Sequence, residues 1–476
     1  MYEAPRHGGQ IASVERMFNI PDSDLPTFPP EALANIAGIQ HEAAQNEASP
    51  IPVGMTYLGQ FIAHDVTRLR RSSEIPSNDT VPTQNLEQLE SPALDLRSLY
   101  GNRTGGDDDP VQYQKSGAFS ATHVQGLRIL DIPRDGDAPL IADARNDENL
   151  IISQLHAAFM SLHNYLVSAY ADAADPFTAA QRELTLIYQR IIEGEFLSML
   201  LHRGVYNALF GNNRISDEDT LLIPRSQEPQ IHLEYIVAAF RFGHAMVRPR
   251  YPIRDGKILG IDELFELTGR GGGSARIVQE NLAIDWSRFF DIDGERALGA
   301  LSIGPFLISE LQNMRNEATG NRSLAKRNLL RGRELRLPSG QQVVNSLQST
   351  IYATVLPALD INLSRYMEQV TNRQKEGAQQ LVIELASGSM LNSTPLWLYL
   401  LMERSYFPES NSATRLGPVA SIIVGEQLRA LITLSSTSIY DPAFDEAARG
   451  SLKLVKQGVF NWNKPRMANL LALIER

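Results

Sequence analysis

Two long stretches of apolar residues at helical spacing constrain the fold of this chain more than any other feature. In residues 148–171 the side chains of Ile151, Leu155 and Phe159 recur at intervals of four, and residues 179–209 show a similar periodicity. Apolar residues at this spacing line one face of an α-helix, and that face has to be buried against other elements. A fold of packed α-helices is therefore predicted.

Weaker periodic patterns predict further helices along most of the chain. Their predicted bounds are residues 55–69, 230–247, 303–316, 322–332, 341–349, 357–371, 378–386 and 415–433. Residues 72–92 and 101–147 are rich in turn formers and are predicted to be mostly loop. Residues 1–50, rich in proline, asparagine and small residues, are predicted to form an extended N-terminal arm.

The composition excludes several classes of partner and ligand. The net charge of −11 argues against binding to nucleic acid. The chain has no cysteine, so disulfides and thiolate ligation are excluded. The N-terminus has no apolar segment typical of a secretory signal, and the apolar runs at 395–402 and 419–424 are too short to span a membrane. We therefore expect a soluble protein without a membrane span, either cytoplasmic or exported by a non-classical route.

A polar pair on one predicted helix is the first sign of a functional site. Gln60 and His64 are four residues apart and share a helix face, whereas Asp65 is turned about 100° away. A buried polar pair needs a partner. Either the two side chains make their hydrogen bonds to other residues in the core, or they face a ligand such as a heme.

Three further motifs follow in the chain, each with charged or polar residues three apart. They are Arg145 with Glu148, Arg241 with His244, and Asn328 with Arg331. Together with Gln60 and His64, and in this order, they resemble the animal-type heme peroxidase family, which forms the peroxidase–cyclooxygenase superfamily. The Tyr100-Gly101 and His163-Asn164 pairs also match, and the resemblance covers roughly residues 50–435.

The resemblance implies the architecture and the cofactor. Length alone suggests about three domains, but the family favours one large, mainly α-helical heme-peroxidase domain, here residues 51–476, with long loops and little β structure. The cofactor is expected to be heme b, with His244 as the proximal iron ligand. By the same resemblance, Asn328 accepts a hydrogen bond from His244, and Arg241 and Arg331 pair with the heme propionates.

On the opposite side of the heme the family places the catalytic residues. His64 is the expected base, because imidazole can both take and return a proton near neutral pH. Arg145 supplies a fixed positive charge toward the departing oxygen, and Gln60 holds a water molecule or an entering anion. The implied enzyme is a heme-dependent peroxidase with a role in the response to oxidative stress. It reduces hydrogen peroxide through a ferryl intermediate and oxidises small halide, pseudohalide or phenolic donors.

Departures from the family pattern narrow this expectation. Ala63 replaces the aspartate that forms a heme ester in animal members, whereas Glu148 matches the second ester-forming residue, so at most one ester is expected. Asn149 replaces the methionine that forms a sulfonium link, which makes chloride oxidation doubtful. Arg241 stands where fatty-acid dioxygenases of the superfamily have a radical-forming tyrosine. This favours a peroxidase, although a dioxygenase stays open if Tyr235 lies near the heme.

The sequence leaves catalytic competence and calcium binding undecided. A catalytically silent structural or interaction protein could keep the fold, although retention of His64, Arg145, His244 and Asn328 argues against it.

Asp65 and Asp95 match the family's calcium ligands, and Ser91 and Ala93 match two further positions. Arg97, however, replaces a serine that completes the site. We expect either that Arg97 displaces calcium by bridging Asp65 and Asp95, or that it points to solvent and calcium binds with a water.

Overall fold

The structure is a computed structural model that describes residues 12–42, 47–67, 69–71, 86–88, 92–101, 110–268, 280–314, 322–355, 374–403 and 415–475. It is mainly α-helical, as predicted. The helices of these residues are α1 Pro30–Glu42, α2 Gly54–Val66, α3 Arg97–Tyr100, α4 Leu150–Ala169, α5 Pro176–Ile191, α6 Ser198–Leu200, α7 Arg203–Phe210, α8 Ile261–Glu266, α9 Leu324–Glu334, α10 Gly340–Leu347, α11 Tyr352–Val355, α12 Lys375–Ser387, α13 Leu396–Glu403, α14 Pro418–Leu434, α15 Glu446–Ser451, α16 Lys453–Lys456 and α17 Met467–Ile474.

The strands are short, with at most five residues each. They are β1 Ala12–Glu15, β2 Ala48–Pro52, β3 Leu69–Arg71, β4 Leu86–Gln88, β5 Val124–Gln125, β6 Arg128–Ile129, β7 Arg134–Asp135, β8 Ala138–Pro139, β9 Ile231–His232, β10 Arg250–Arg254, β11 Lys257–Gly260 and β12 Gly299–Leu301. The largest sheet has the strand order β3-β4-β1-β9, in which β1 is antiparallel to β4 and parallel to β9. In the described part of the chain no helix is long and apolar enough to cross a membrane.

Helix α4 is the centre of the fold. Its first fourteen residues are all buried, and it packs along α5 and against α2. It begins cleanly because the Asn149 side chain accepts hydrogen bonds from the backbone N–H groups of Ile151 and Ile152, which satisfies two of the donors that a helix start leaves unpaired. Helix α5 begins in a similar way, with Asp175 as the cap and Pro176 in the first turn. The helix predicted at 148–171 is confirmed within two residues at each end. The run at 179–209 is helical but not one helix, because α5 ends at Ile191 and is followed by π-type turns at Ile192–Leu197, by α6 and, after a break at Leu201 and His202, by α7.

The position of α2 is fixed at its first residue. The backbone N–H of Gly54 donates to the carbonyl of Phe289 over 2.9 Å. A Cβ atom at residue 54 would lie 2.3 Å from the ring of Phe290, so only glycine allows this close approach. Because α2 is anchored here, its polar residues Gln60 and His64 are held at a fixed place along the helix.

The segment that carries His244 is not a regular helix. Glu234–Ala238 forms wide π-type turns, and Ala239–Met246 continues in tighter 3₁₀ turns. The side chain of Arg241 contributes to this irregularity, because its Nε donates to the backbone carbonyl of Ile236 over 3.0 Å. That carbonyl would otherwise accept from the N–H four residues later. The prediction of a regular helix over 230–247 is therefore only partly right.

Two predictions from the sequence differ more strongly from the structure. Residues 1–50 do not form only an extended arm, because α1 lies within them and buries Leu33 and Ile36 against the core. Residues 303–314, the described part of the helix predicted at 303–316, form only a short 3₁₀ turn at Ser309–Gln312. Here the side-chain amide of Gln40 donates to the carbonyl of Pro305, and the backbone N–H of Leu307 donates to the carbonyl of Gln40, so these backbone groups are bonded outside a helix.

The predicted helices at 322–332, 341–349, 378–386 and 415–433 correspond to α9, α10, α12 and α14. The helix predicted at 357–371 lies outside the described residues, as does most of the loop predicted at 72–92. The described part of 101–147 is mostly loop with two short hairpins, as expected. Helix α13 and the C-terminal helices were not predicted.

Candidate active site

A cavity of about 430 Å³ lies between α2, the turn before α4, the Glu234–Met246 segment and α9. Seven of the residues predicted from the sequence line it together: Gln60, His64, Arg145, Glu148, Arg241, His244 and Asn328. They come from four separate parts of the chain. The structure therefore brings together in one cavity the polar residues that the sequence motifs singled out, with the exception of Arg331.

His64 is held by an asparagine next to Arg145. Its ring nitrogen Nδ1 lies 2.8 Å from the side-chain oxygen of Asn146. An amide oxygen only accepts hydrogen bonds, so Nδ1 carries the proton. In the neutral ring the other nitrogen, Nε2, then has the lone pair that a base needs. The sequence motifs assign no role to Asn146, and its position beside Arg145 is the one signal that points to it.

Arg145 is paired with an aspartate that sequence analysis also missed. Its guanidinium makes a two-pronged ion pair with Asp143, with nitrogen–oxygen distances between 2.5 and 3.0 Å. Burial would raise the pKa of Asp143, but the charge and hydrogen bonds of Arg145 outweigh it and hold that pKa well below its usual range. Arg145 also donates to the backbone carbonyl of His64 over 2.8 Å. The cation is thus fixed beside His64.

Buried ion pairs stabilise the turn Ala144–Asp147, which carries Arg145 and Asn146. Asp147 is fully buried and makes two hydrogen bonds, of 2.7 and 2.8 Å, with Arg134. The same guanidinium pairs with Asp131 at 3.1 and 3.2 Å. Because Asp147 lies between Asn146 and Glu148 in the chain, this network fixes the backbone from which the cavity residues project.

Glu148 and Gln60 both line the cavity and are joined by a hydrogen bond. The amide nitrogen of Gln60 donates to a carboxylate oxygen of Glu148 over 3.0 Å. The next residue, Asn149, uses its side-chain oxygen to cap α4 and also lines the cavity. Asn149 stands where the family pattern has a methionine, and in the structure it acts as the N-cap of α4.

On the side of His244 the hydrogen bonds are arranged differently from the expectation. The side-chain oxygen of Asn328 accepts from Arg241 over 2.7 Å, and its amide nitrogen lies 2.8 Å from Nδ1 of His244. The reason is that a guanidinium only donates, so it takes the oxygen that was expected to face His244. In this orientation Nδ1 of His244 accepts, so the neutral ring carries its proton on Nε2, and a metal ion can bind Nε2 only after the amide turns its oxygen toward Nδ1.

Burial and positive charge act together on this side of the cavity. Burial, with the charges of Arg241 and Arg327, lowers the pKa of His244 to about 3. Burial also lowers the pKa of Arg241 to about 10, with contributions from Arg331 and Arg327. His244 is therefore neutral, which is the form that binds a metal ion. The neighbouring cations favour an anionic group in the cavity.

One predicted arginine does not reach the cavity wall. Arg331 lies on α9 and pairs with Glu334 at 3.3 Å, whereas Arg327, one helical turn earlier, lines the cavity. The two residues share a helix face, so the sequence pattern alone could not distinguish them. An ion pair between Arg331 and a heme propionate stays a prediction.

The lining fits a heme, which combines an iron ion, an apolar ring and two carboxylates. His244 supplies a neutral imidazole, and Arg241 and Arg327 supply positive charge. Apolar side chains, among them Phe240 and Phe265, cover part of the wall. With no cysteine in the chain, histidine is the ligand expected for such a group.

A family model described as animal haem peroxidase matches residues 39–432. The chain belongs to this family. A search of curated proteins finds no match. The fold is similar to that of peroxidase A from Dictyostelium discoideum, with a TM-score of 0.66 and 17% identity over 99% of this chain and 94% of that one. It is also similar to the fatty acid alpha-dioxygenase of Oryza sativa, with a TM-score of 0.62 and 13% identity over 97% and 81% of the two chains.

A third similar structure is the fatty acid alpha-dioxygenase of Arabidopsis thaliana, with a TM-score of 0.60 and 14% identity over 98% of this chain and 76% of that one. The match of the family model over residues 39–432 places the chain in the peroxidase–cyclooxygenase superfamily, and the superfamily is enzymatic. At these identities the solved structures support the fold alone. The resemblance predicted from the sequence motifs is confirmed.

The candidate calcium ligands are engaged in other contacts. The two carboxylate oxygens of Asp65 accept from the backbone N–H groups of Ser98 and Leu96, at 3.0 and 3.2 Å. Arg97 pairs with Asp95 at 3.3 Å. The expectation that Arg97 bridges both aspartates is met only at Asp95, because backbone N–H groups occupy Asp65. Ser91 lies outside the described residues.

Two N–H groups and a guanidinium do not suit a cation. Burial, together with the nearby charge of Asp95, raises the pKa of Asp65 to about 8 despite the two N–H donors. Calcium is bound by about six to eight oxygen ligands. In the part of the chain that the structure describes, no group of three or more potential metal-ligating side chains is found. The guanidinium of Arg97 beside Asp95 opposes the binding of a divalent cation between these residues.

Proposed function

We propose that this protein is a heme peroxidase that reduces hydrogen peroxide and oxidises a small halide, pseudohalide or phenolic donor. His244 would hold the heme iron, Arg241 would pair with a propionate, and Glu148, which lines the same cavity, would form an ester. When bound there, the heme supplies the metal and the oxidising power. Peroxide is reduced to two waters with two electrons from donors and two protons.

The cavity residues of this chain would move the protons. His64 would take the proton from one oxygen of the peroxide through Nε2 and return it to the other oxygen, which leaves as water. Arg145 would stabilise the negative charge on that departing oxygen. Because Arg145 is already fixed on Asp143 and on the His64 carbonyl, it would need no rearrangement during the reaction.

The observation that carries this proposal is the contact of 2.8 Å between Nδ1 of His64 and the side-chain oxygen of Asn146. The Nδ1–H of His64 is committed to Asn146, so the neutral ring presents a lone pair at Nε2 in the same cavity as His244. The test is an absorption spectrum of the purified, heme-loaded protein. We expect a Soret band that changes on addition of peroxide and returns on addition of a phenolic donor. A band that does not respond would favour an inactive scaffold.

A fatty-acid dioxygenase is the second candidate function, and one residue favours it. Tyr235 lines the cavity, is fully buried and has a hydroxyl without a hydrogen-bond partner among the described residues. Its ring stacks on that of Phe240, with centroids 4.8 Å apart. Against this role, the residue three positions before His244 is Arg241, which cannot form the radical that the tyrosine of the dioxygenases provides.

Oxygen uptake distinguishes the two candidates. The heme-loaded protein is expected to oxidise phenolic donors with peroxide and to consume no oxygen with a polyunsaturated fatty acid, because Arg241 cannot abstract hydrogen. The measurement uses an oxygen electrode, with heme alone as the blank. Tyr235→Phe is the matched variant, and it should leave phenol oxidation unchanged. Uptake above the blank that disappears in Tyr235→Phe would establish the dioxygenase instead.

A covalent heme bond is a further expectation. Glu148 is the only ester-forming residue of the family pattern that this chain retains, since residue 63 is alanine. Acidified solvent should release all heme from the unreacted protein and less heme after cycling with peroxide. The Glu148→Gln variant should release all heme in both states, and it keeps a side chain that can contact Gln60. Equal release from the wild-type protein before and after cycling would contradict this expectation.

The protein is expected to contain no calcium. The Asp65 carboxylate accepts hydrogen bonds from two backbone N–H groups, and the positive charge of Arg97 repels a divalent cation from Asp95. Elemental analysis of protein purified without chelator should find no calcium, and added calcium should not raise the melting temperature. Calcium in an equimolar amount, lost together with stability on treatment with a chelator, would overturn this expectation.

A further inference from the structure

A buried histidine lies behind the residue that orients His64. The amide nitrogen of Asn146 lies 3.1 Å from Nδ1 of His156, while its oxygen accepts from His64. His156 is on α4 and is buried, and its ring contacts that of Phe61. The three side chains form a continuous line of hydrogen bonds from the core to the cavity. In the sequence His156 and His163 share one helix face, a spacing that indicates core histidines rather than a pair of metal ligands.

The direction of hydrogen bonding is the same along the whole line. An amide group has one accepting end and one donating end, so Asn146 cannot accept from both histidines or donate to both. If His156 accepts at Nδ1, Asn146 must turn its oxygen toward His64, and Nδ1 of His64 must carry the proton. If His156 instead donates from Nδ1, the amide turns over and His64 loses the lone pair at Nε2.

His156 has the properties that this role requires. It is fully enclosed, and burial lowers its pKa to about 3, although the charge of Asp143 opposes the effect. The ring is therefore neutral at ordinary pH and keeps one accepting nitrogen. A charged ring would carry hydrogen on both nitrogens and would reverse the amide.

We propose that His156 is a positioning residue that sets, through Asn146, which ring nitrogen of His64 carries the proton. The proposal deepens the proposed function, because a peroxidase needs His64 as a base. The three side chains are connected through hydrogen bonds of this chain alone. The effect of His156 on His64 is therefore expected in the protein without heme as well.

The test uses the heme-free protein and selectively ¹⁵N-labelled histidine. Long-range ¹H–¹⁵N NMR spectra identify the protonated nitrogen of each ring, and the His64→Gln variant assigns the signal. In the wild-type protein His64 should be protonated at Nδ1. In His156→Phe the amide loses its orientation, and the His64 signal should shift toward the form protonated at Nε2. Asn146→Leu tests the same line from its other end and should give the same shift.

A rescue experiment separates positioning from packing. A carboxylate accepts at both oxygens, so Asn146→Asp should keep Nδ1 of His64 protonated without help from His156. The double variant Asn146→Asp/His156→Phe should therefore recover the wild-type signal that His156→Phe loses. His163→Phe is the matched control, because His163 is a buried histidine on the same helix that bonds Tyr100 and Gly117 instead. It should leave His64 unchanged.

The heme-loaded variants give a second readout. His156→Phe should react with peroxide about 10–100-fold more slowly, the loss usual when an orienting partner is removed, and the double variant should regain most of the rate. A His64 ring that stays protonated at Nδ1 in His156→Phe, or a double variant without recovery, would overturn the proposal. A protein that never reacts with peroxide would remove the proposed function, while the NMR result would still decide the role of His156.

Discussion

Replacement of His64 by alanine is expected to slow the reaction of the heme-loaded protein with peroxide at least about 10²-fold, the usual loss when a general acid–base group is removed. Alanine removes the only imidazole that the structure places near Arg145 and Glu148 on this side of the cavity, within its described residues. Heme binding should persist, because His244 and Arg241 belong to another segment. Stopped-flow spectroscopy measures the rate, and the Soret band measures heme content.

A surface histidine provides the control for this experiment. His123 is partly exposed, and among the described residues its side chain hydrogen-bonds only Thr122. The variant His123→Ala should react with peroxide at the wild-type rate and bind heme normally. If His64→Ala also reacts at the wild-type rate, His64 has no part in proton transfer. Loss of heme in His64→Ala would point to a structural role instead.

The sequence predicted the cavity residues better than their partners. Gln60 and His64 could be placed together because spacing along a helix determines which residues share a face. The bond from His64 to Asn146 could not be predicted, because it joins residues 82 positions apart through the packing of α2 against the turn before α4. Asp143 was missed for a related reason, since an aspartate at the start of a turn is ordinarily a cap.

The irregular segment around His244 shows a second limit of prediction from sequence. Apolar periodicity correctly placed an element near residues 230–247, but it cannot reveal that Arg241 bonds the backbone carbonyl of Ile236. Similarly, the buried guanidinium of Arg241 decides which end of the Asn328 amide faces His244. Both features depend on where a long side chain is placed after folding, which local sequence does not determine.

The buried charges behind the cavity are expected to contribute strongly to stability. Arg134→Met should lower the free energy of unfolding by about 3–5 kcal/mol, the cost usual when one partner of a buried ion pair is removed. The side chains of Arg134, Asp131 and Asp147 are 6%, 1% and 0% exposed, so water cannot replace the lost partner. Urea denaturation followed by circular dichroism measures the change.

Two comparisons identify the cause of this loss. Arg288→Met is the matched control, because Arg288 pairs with Asp285 and Asp255 while 30% exposed, and an exposed pair contributes at most about 1 kcal/mol. Adding Asp147→Asn to Arg134→Met should recover part of the stability, since it removes one uncompensated buried charge. A loss in Arg134→Met no larger than in Arg288→Met would show that the network does not hold the turn. The backbone that carries Arg145, Asn146 and Glu148 would then have to be positioned by α4 and its Asn149 cap alone.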